Sequence, residues 1–255
     1  MDYKDIFNTA MLAGEIMAQS GAETFRVEDT MIRILKTSGA TSVEVYATTT
    51  GIVASISAPD KEPLSGVKRI ANRSNNLSRI NDVNQISRNI CDGTISIIGA
   101  YDNLIQIKTH KIYSNLTVAI ASVVSVIGFA GLFGGSLIDC IFAGVNGLFI
   151  ILVGKLVDNK LNSTFMIDAI KCFVLAFLTL IYVNYCPNTH LNIIIIGSLM
   201  PFVPGIPITN DIRDTLQGDY NSGATRALEA FVISLGIAVG VGFGMGFYHM
   251  IERLW

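Results

Sequence analysis

The sequence predicts a membrane protein, an all-α transmembrane bundle of five helices that follows an N-terminal cytoplasmic α+β domain. Composition is the first observation, because 51% of the 255 residues are hydrophobic and only 15% are charged. The second is charge distribution, since residues 1–111 hold 12 of the 18 basic and 12 of the 20 acidic residues. The third is that apolar segments of membrane-spanning length occur only after residue 111.

The chain begins with two amphipathic helices. Residues 5–20 have apolar residues at spacings of three and four and end before Gly21, which suits a helix C-cap. Residues 23–37 have one apolar and one charged face and end before Gly39. The N-terminus lacks the basic start and unbroken apolar run of a signal peptide, so we expect it to stay in the cytoplasm.

A short sheet and two further helices complete the predicted domain of residues 1–111. Residues 43–59 are rich in β-branched side chains and predict two strands that meet near Thr50 and Gly51. A third strand is expected within residues 66–75, followed by helices over 77–91 and 94–111. Strands beside helices of this kind indicate a small α+β domain.

Five apolar segments follow, and we expect residues 112–255 to form the transmembrane domain. Each is about long enough to cross a ~30 Å hydrocarbon core. The predicted spans are residues 112–133, 137–157, 166–186, 191–208 and 227–251.

The basic residues around these spans predict a multi-pass cell-membrane protein with its N-terminus in the cytoplasm and its C-terminus outside. Lys or Arg occurs before the first span, between the second and third, and between the fourth and fifth. The other two connections, residues 134–136 and 187–190, contain neither. Basic connections lie on the cytoplasmic side of a membrane.

Proline interrupts the fourth span. Pro201, Pro204 and Pro207 fall within seven residues, and each removes a backbone donor and fixes φ. A broken backbone at membrane depth leaves amides and carbonyls unpaired, which lipid does not tolerate unless protein or a water-filled cavity surrounds them. The break therefore predicts a substrate pathway.

Polar residues follow the break and supply the predicted substrate site. Thr209 or Asn210 would suit the N-cap of a cytoplasmic helix. A helix start also binds carboxylates, and Arg213 could clamp the same group. In the alternative, Arg213 pairs with Asp214 or Asp219 as a structural bridge. The predicted substrate-binding residues are Pro204, Gly205, Pro207, Thr209, Asn210 and Arg213.

Two polar residues of the second span are further candidates. Asp139, near its outer end, is either the proton-coupling group or an interfacial carboxylate that reaches water. Asn146, two turns deeper on roughly the same face, either contacts substrate or forms an interhelical hydrogen bond, which is the commoner role. In the third span, Asp168 and Lys171 predict an i, i+3 ion pair.

Glycines in the last span predict close helix packing. Gly236, Gly240 and Gly244 recur every four residues, and Gly242 and Gly246 form a second stripe. Small residues at this spacing let helices approach closely. The contact lies either within one chain or between subunits, so a homo-oligomer or a complementary subunit is expected.

Several function classes are disfavoured. The near-neutral charge balance does not suit nucleic acid, and the cysteine spacing suggests neither disulfides nor a metal site. Glu23, Arg26 and Glu28 favour helix-surface ion pairs over catalysis, and no cofactor is expected. A secondary transporter, driven by protons since no GxxxxGK[ST] loop occurs, and a membrane-anchored enzyme or regulator acting through its cytoplasmic domain both remain.

Three motifs resemble the threonine/serine exporter family, in its N-terminal-domain half. They are SGAETFRVEDTM at residues 20–31, FGG at 133–135 with Asp139 after it, and MPFVPGIPITNDIRDTLQGDYNSG at 200–223. The likeness covers nearly the whole chain. It implies export of small amino acids or, in split members, of dicarboxylates such as succinate. It also implies a smaller companion membrane subunit for split members.

Overall fold

The computed structural model describes residues 3–59, 61–71, 73–110, 113–158, 160–161 and 163–254. By its internal contacts the chain divides into an N-terminal unit, Met1–Lys111 with Ile206–Ala227, and a hydrophobic unit, Ile112–Gly205 with Leu228–Trp255. Residues 206–227, which the sequence predicts as part of the transmembrane domain, belong by their contacts to the N-terminal unit. The expected boundary residues Lys111 and Ile112 lie outside the described residues.

The N-terminal unit combines helices with a three-stranded antiparallel sheet of order β1-β2-β3. Helix α3 has the bounds predicted from its apolar spacing. Strand β3 begins five residues earlier than residue 66 and contains Pro63, which an edge strand tolerates because one side of its backbone needs no ladder hydrogen bonds. The elements are α1 (Tyr3–Gln19), α2 (Thr24–Lys36), β1 (Ser42–Ala47), β2 (Gly51–Ala58), β3 (Lys61–Arg69), α3 (Leu77–Cys91) and α4 (Ile97–Thr109).

The core of this unit lies between the apolar faces of its helices and one face of β2. The alternate residues Ile52, Ala54 and Ile56 are buried, as the two-residue period of a half-buried strand requires. Glu15 is also buried, and its carboxylate receives Lys108 Nζ at 2.7 Å and Lys68 Nζ at 3.1 Å. Burial acts to raise the pKa of Glu15, but the hydrogen bonds and charges of the two lysines outweigh it and lower that pKa.

The remaining helices carry the apolar segments. They are α5 (Asn115–Leu132), α6 (Leu137–Val157), α7 (Thr164–Tyr185), α8 (Leu191–Leu199), α9 (Gly205–Leu216) and α10 (Tyr220–Glu252). Helices α5, α6, α7 and α10 are each long and apolar enough to cross a membrane. A fifth span exists if Leu191–Phe202 and α9, which meet this criterion only as a pair, cross together.

The helical path stops where the prolines are. A 3₁₀ turn, Met200–Phe202, follows α8, and Val203 is extended as expected for a residue before proline. Helix α9 then begins at Gly205, and Pro207 is tolerated in its first turn because amides there have no intrahelical partner. Thr209 and Asn210 therefore lie one turn inside α9, which corrects the expectation that one of them is the N-cap.

The glycine stripe of α10 packs against α7 of the same chain. A Cβ atom at Gly244 would lie 2.6 Å from the carbonyl oxygen of Phe173, and one at Gly240 would overlap the carbonyl oxygen of Ala169. Gly242 and Gly246 have no heavy atom within 4 Å of the corresponding position. The two stripes thus differ, since the first is an intrachain contact and the second faces open space.

Gly240→Ala should destabilise the protein, whereas Gly242→Ala on the same helix should not. The added methyl group at residue 240 forces α10 away from the α7 backbone, and overpacking of this kind costs about 1–3 kcal/mol. Thermal unfolding of the two purified variants in the same detergent measures the difference. Equal melting temperatures would contradict the packing of α10 on α7.

Candidate functional site

In the hydrophobic unit, Asp139 joins the start of α6 to the start of α8. Ser136 is the N-cap of α6 and forms a capping box with Asp139, whose Oδ2 accepts from Ser136 N and Oγ, both at 2.8 Å. The backbone N–H of His190 donates to Asp139 Oδ1 at 2.7 Å, and His190 Nδ1 lies 2.9 Å from Oδ2. The carboxylate is fully buried, whereas 60% of the imidazole side chain is exposed. His190 is therefore the exposed member of the pair.

A second polar group lies deeper on the same helices. Asn146 of α6, Thr179 of α7 and Ser198 of α8 are all fully buried. Asn146 Nδ2 donates to Thr179 Oγ1 at 2.9 Å and to Ser198 Oγ at 3.2 Å. The interhelical role expected for Asn146 is confirmed. Its Oδ1 atom has no hydrogen-bond partner among the described residues.

An aromatic pair lies between the two groups. The rings of Phe142 on α6 and Tyr182 on α7 stack with centroids 4.6 Å apart. Phe142 is three residues after Asp139 and four before Asn146, so these residues share one face of α6. The Tyr182 hydroxyl is buried and, like Asn146 Oδ1, lacks a partner within the described part of the chain.

We call these seven side chains the polar seam: Asp139, His190, Phe142, Tyr182, Asn146, Thr179 and Ser198. At 1.5 Å per helical residue it extends roughly 10 Å along α6 between Asp139 and Asn146. Hydrogen-bonding side chains from three otherwise apolar helices thus follow one interface.

Close contacts with α5 position the helices that carry the seam. A Cβ atom at Gly197 would lie 2.8 Å from the backbone of Ala130. Only glycine at residue 197 therefore lets α8 approach α5 this closely. On α6, a Cβ atom at Gly144 would meet Ile127 at 2.9 Å, and one at Gly147 would meet Val123 at 3.3 Å. Ser198 directly follows Gly197, and Asn146 directly precedes Gly147. The close contacts at these glycines therefore fix the positions of both polar side chains.

Lys171 does not pair with Asp168 as expected. Its Nζ lies 2.8 Å from Asp158 Oδ1, at the end of α6 that the sequence predicts to be cytoplasmic. Lys171 pairs with Asp158 because Asp158 follows the last residue of α6 and can reach across the connection to α7.

In the N-terminal unit, the first and third sequence motifs meet at Asp214. This side chain is 1% exposed, and its Oδ2 accepts from Thr24 Oγ1 at 3.0 Å and from Arg226 Nε at 2.9 Å. Arg226 Nη2 also donates to the carbonyl oxygen of Ala22 at 2.9 Å. The buried ion pair therefore fixes residues 206–227 to the connection between α1 and α2.

The polar residues predicted to bind substrate contribute to the same contact. Asn210 Nδ2 donates to the carbonyl oxygen of Gly21 at 3.0 Å, and Arg213 forms an ion pair with Glu23. Neither alternative partner, Asp214 or Asp219, receives Arg213.

The remaining members of that predicted set have different surroundings. Pro204 is buried directly before α9, Gly205 begins the helix with open space around it, and Thr209 is exposed. The structure thus joins Asn210 and Arg213 to the α1–α2 connection and leaves the others at or near the start of α9.

The contact of Asp214 with Thr24 and Arg226 is not predicted from the sequence, which offers Asp214 only as a partner of Arg213. The predicted surface pair of Glu23 and Arg26 is confirmed at 3.2 Å, but it is local, at i, i+3. The Thr24–Asp214 contact joins residues 190 apart, which no helical spacing reveals. One signal in the sequence could have indicated this contact. The first motif contains the acidic residue Glu23 and the third contains the basic residue Arg213, which form an ion pair.

An acidic cleft of about 530 Å³ adjoins Asp214. Glu28 lines it, and Glu28 Oε1 accepts from the backbone N–H of Ala47 at 2.8 Å. Burial raises the pKa of Glu28, and the negative charges of Asp219 and Asp214 raise it further. Together these effects outweigh the hydrogen bond from Ala47, which acts to lower that pKa. The walls of the acidic cleft include Phe25, Glu28, Tyr46, Asp214, Asp219 and Tyr220.

Long apolar helices with buried hydrogen-bonding side chains between them define a multi-pass membrane protein, and polar groups at such depth are typical of transporters. A family model described as "Putative threonine/serine exporter" matches residues 8–248, so this chain belongs to the threonine/serine exporter family.

A curated relative agrees with the family assignment. The "Probable threonine/serine exporter" of Mycobacterium tuberculosis is 20% identical over 241 residues, which are 93% of this chain and 45% of that protein. The chain thus spans about half the length of this relative. No solved structure matches it.

Removal of the buried carboxylate at Asp214 should strongly destabilise the protein. Asp214→Ala leaves the Arg226 guanidinium buried without its counter-charge, which costs about 3–5 kcal/mol. Asp211→Ala on the same helix is the control, because no ion pair is removed there. Chemical unfolding of the purified full chain gives both values. If Asp214→Ala and Arg226→Ala are strictly additive in the double variant, the two residues are not coupled.

The acidic cleft should make stability fall as pH rises. Because the pKa of Glu28 is raised in the folded protein, the folded state retains a proton that the unfolded state releases. The contribution of Glu28 to stability is therefore greatest below the ordinary value of 4.5 and declines as pH rises through the raised pKa.

Glu28→Gln keeps an acceptor for Ala47 and should flatten this part of the pH profile. Melting temperatures between pH 4 and 8 measure it, and Glu44→Gln, an exposed carboxylate on β1, controls for the loss of one charge. A profile unchanged by Glu28→Gln would show that the cleft does not cause the pH dependence.

Proposed function

We propose that this chain is the membrane subunit of a secondary transporter that exports threonine and serine. It belongs to a family of transporters, and its curated relative carries the name of a threonine/serine exporter. The observation that supports the proposal most is the fully buried hydrogen-bonded group of Asn146, Thr179 and Ser198 between apolar helices. Polar side chains at membrane depth are costly and commonly mark substrate pathways.

Small zwitterions suit the polar seam better than dicarboxylates such as succinate. Its charged members are Asp139 and, when protonated, His190. Lys171, in the same unit, is paired with Asp158. Succinate brings two negative charges that would need cationic partners, whereas the hydroxyl and ammonium of serine or threonine need hydrogen-bond acceptors.

We propose the start of α9 for the substrate's carboxylate. Pro204 directly precedes this helix, and Gly205 and Pro207 lie in its first turn, where the positive end of the helix dipole favours anions. Thr209 lies one turn further on. Asn210 and Arg213 hold α9 through Gly21 and Glu23 and so act on this site by positioning the helix.

Asp139 and His190 form the proposed proton-coupling pair. The imidazole is the side chain that changes charge in the physiological pH range, and it lies beside a buried carboxylate at the exposed end of the seam. Protonation of the pair alters the interaction that joins α6 to α8. A proton gradient can therefore shift the equilibrium between different arrangements of the helices that line the seam.

The proposed assembly includes a second copy of the chain or a smaller companion membrane subunit, in a lipid bilayer. This assembly is the one that the resemblance to split exporters implies, and the chain spans 45% of its exporter relative. The basic connections support an N-terminus in the cytoplasm and a C-terminus outside.

Cysteine labelling tests this orientation. In single-cysteine variants, a membrane-impermeant maleimide added to intact cells should modify Cys186, at the end of α7, and should not modify Cys91 at the end of α3. Cys91 is exposed in the structure, so protection from outside would reflect its side of the membrane and not burial. Cell lysis should make Cys91 reactive. Modification of Cys91 in intact cells contradicts the orientation.

Flux measurements test the function. Purified protein in proteoliposomes, alone and with a companion subunit, should move labelled threonine and serine in response to an imposed pH gradient, with little flux of succinate. Succinate flux above that of serine would contradict the substrate class. Absence of flux of all three in both preparations would contradict the transporter proposal for this chain.

Variants of the coupling pair test the mechanism in the same assay. Asp139→Asn and His190→Asn should abolish the response to the pH gradient and retain exchange of labelled for unlabelled serine. His249→Asn is the control, because this exposed histidine on α10 pairs with Glu252 outside the seam. An unchanged pH dependence in both seam variants places the coupling group elsewhere.

A further inference from the structure

We infer that Asn146 and Tyr182 are specificity-determining residues that recognise the side-chain hydroxyl of the substrate. The inference rests on the proposed function and names the contacts that would separate serine from alanine. Its starting point is that two buried polar atoms of the seam, Asn146 Oδ1 and the Tyr182 hydroxyl, have no hydrogen-bond partner among the described residues.

The orientation of the Asn146 amide follows from its neighbours. Thr179 Oγ1 donates its only hydrogen to the carbonyl oxygen of Leu175 at 2.8 Å, so it can only accept from Asn146. The atom that faces Thr179 at 2.9 Å must therefore be the amide nitrogen. Both amide hydrogens are directed to Thr179 and Ser198, and Oδ1 remains as an acceptor that requires a donor.

Stacking on Phe142 places Tyr182 within about one helical turn of Asn146 along the seam. Tyr182 is three residues after Thr179 on α7, and its ring stacks on Phe142, four residues before Asn146 on α6. The two residues are thus about one helical turn, ~5 Å, apart along the seam. A buried tyrosine hydroxyl normally has a partner, and it can both donate and accept.

A hydroxyl group complements this pair of atoms. It can donate to Asn146 Oδ1 and accept from the Tyr182 hydroxyl, whereas the methyl group of alanine can do neither. An ammonium group can donate to Oδ1 but cannot accept from tyrosine. Sites with buried hydrogen-bonding groups reject an analogue that lacks the matching group, because those groups then stay unpaired.

Contacts between helices alone do not account for the free atoms. Asn146 Nδ2, Thr179 and Ser198 already join α6, α7 and α8, and an apolar residue in place of Tyr182 could stack on Phe142. An unpaired acceptor and an unpaired hydroxyl in an apolar interior oppose folding. A ligand that pairs with both atoms gives their presence a physical reason.

Equilibrium binding tests the inference without requiring transport. The full chain in lipid nanodiscs is titrated with serine, alanine, threonine and 2-aminobutyrate, the last two being a second pair that differs by the hydroxyl. We expect wild-type protein to bind serine at least about tenfold more tightly than alanine, since one hydrogen-bonded group can discriminate by that factor or more.

Tyr182→Phe is the decisive variant because it keeps the ring stacked on Phe142 and removes only the hydroxyl. It should reduce the serine preference to within about threefold of alanine, with alanine affinity unchanged, which corresponds to loss of a single hydrogen bond. Asn146→Leu should act in the same direction. Tyr185→Phe is the matched control, since Tyr185 is on the same helix but is 78% exposed.

The outcomes separate this inference from the proposed function. Selective serine binding that is lost in Tyr182→Phe supports the inference, even if parallel proteoliposome assays show no flux and so contradict the transporter proposal. Serine flux with a preference that Tyr182→Phe and Asn146→Leu leave unchanged overturns the inference alone. Failure of the wild-type protein to prefer serine over alanine also overturns it.

Discussion

Pairing of buried polar groups is the constraint on which both units depend. In the hydrophobic unit the helices are apolar on nearly all faces, so hydrophobicity alone does not decide which faces meet. Hydrogen bonds between helices do, because a polar side chain in hydrocarbon gains most by finding a partner. Asp139 fixes α6 to α8 at one level, and Asn146 fixes α6 to α7 and α8 at another. Gly197 permits the second contact by letting α8 approach α5.

The same constraint explains why residues 206–227 belong with the N-terminal unit. Burial of the Asp214 carboxylate or the Arg226 guanidinium without a partner would cost a large desolvation free energy. Each is compensated by the other, by Thr24 and by the carbonyl oxygen of Ala22. The segment that follows the proline break is therefore tied to the first motif of the chain, and the hydropathy of residues 191–208 could not reveal this.

Local rules predicted the elements that local interactions determine. Helices α3 and α6 have the predicted bounds, because apolar spacing marks their length and polar caps such as Asn76 and Ser136 mark their starts. The predicted start of α9 is too late, since Thr209 and Asn210 are residue types that commonly cap helices, whereas Pro204, which precedes the first helical residue, is not. Pairs such as Arg213 with Glu23, or Lys171 with Asp158, escaped prediction because helical spacing describes neighbours on one helix and not partners on another.

The candidate site shows why a strong polar motif is not by itself the place of ligand recognition. Asn210 and Arg213 follow the proline break and are predicted from the sequence to bind substrate, yet each has a protein partner that accounts for its polarity. Asn146 was given a modest role as an interhelical contact, and that contact uses only its amide hydrogens. Its carbonyl oxygen and the Tyr182 hydroxyl are the groups of the seam whose hydrogen-bonding capacity the described residues leave unused. A ligand can gain free energy from an unused buried acceptor, whereas at a satisfied one it must first displace the protein's own donor. Recognition of the substrate's hydroxyl group is therefore better placed in the seam than among the paired side chains of the motif.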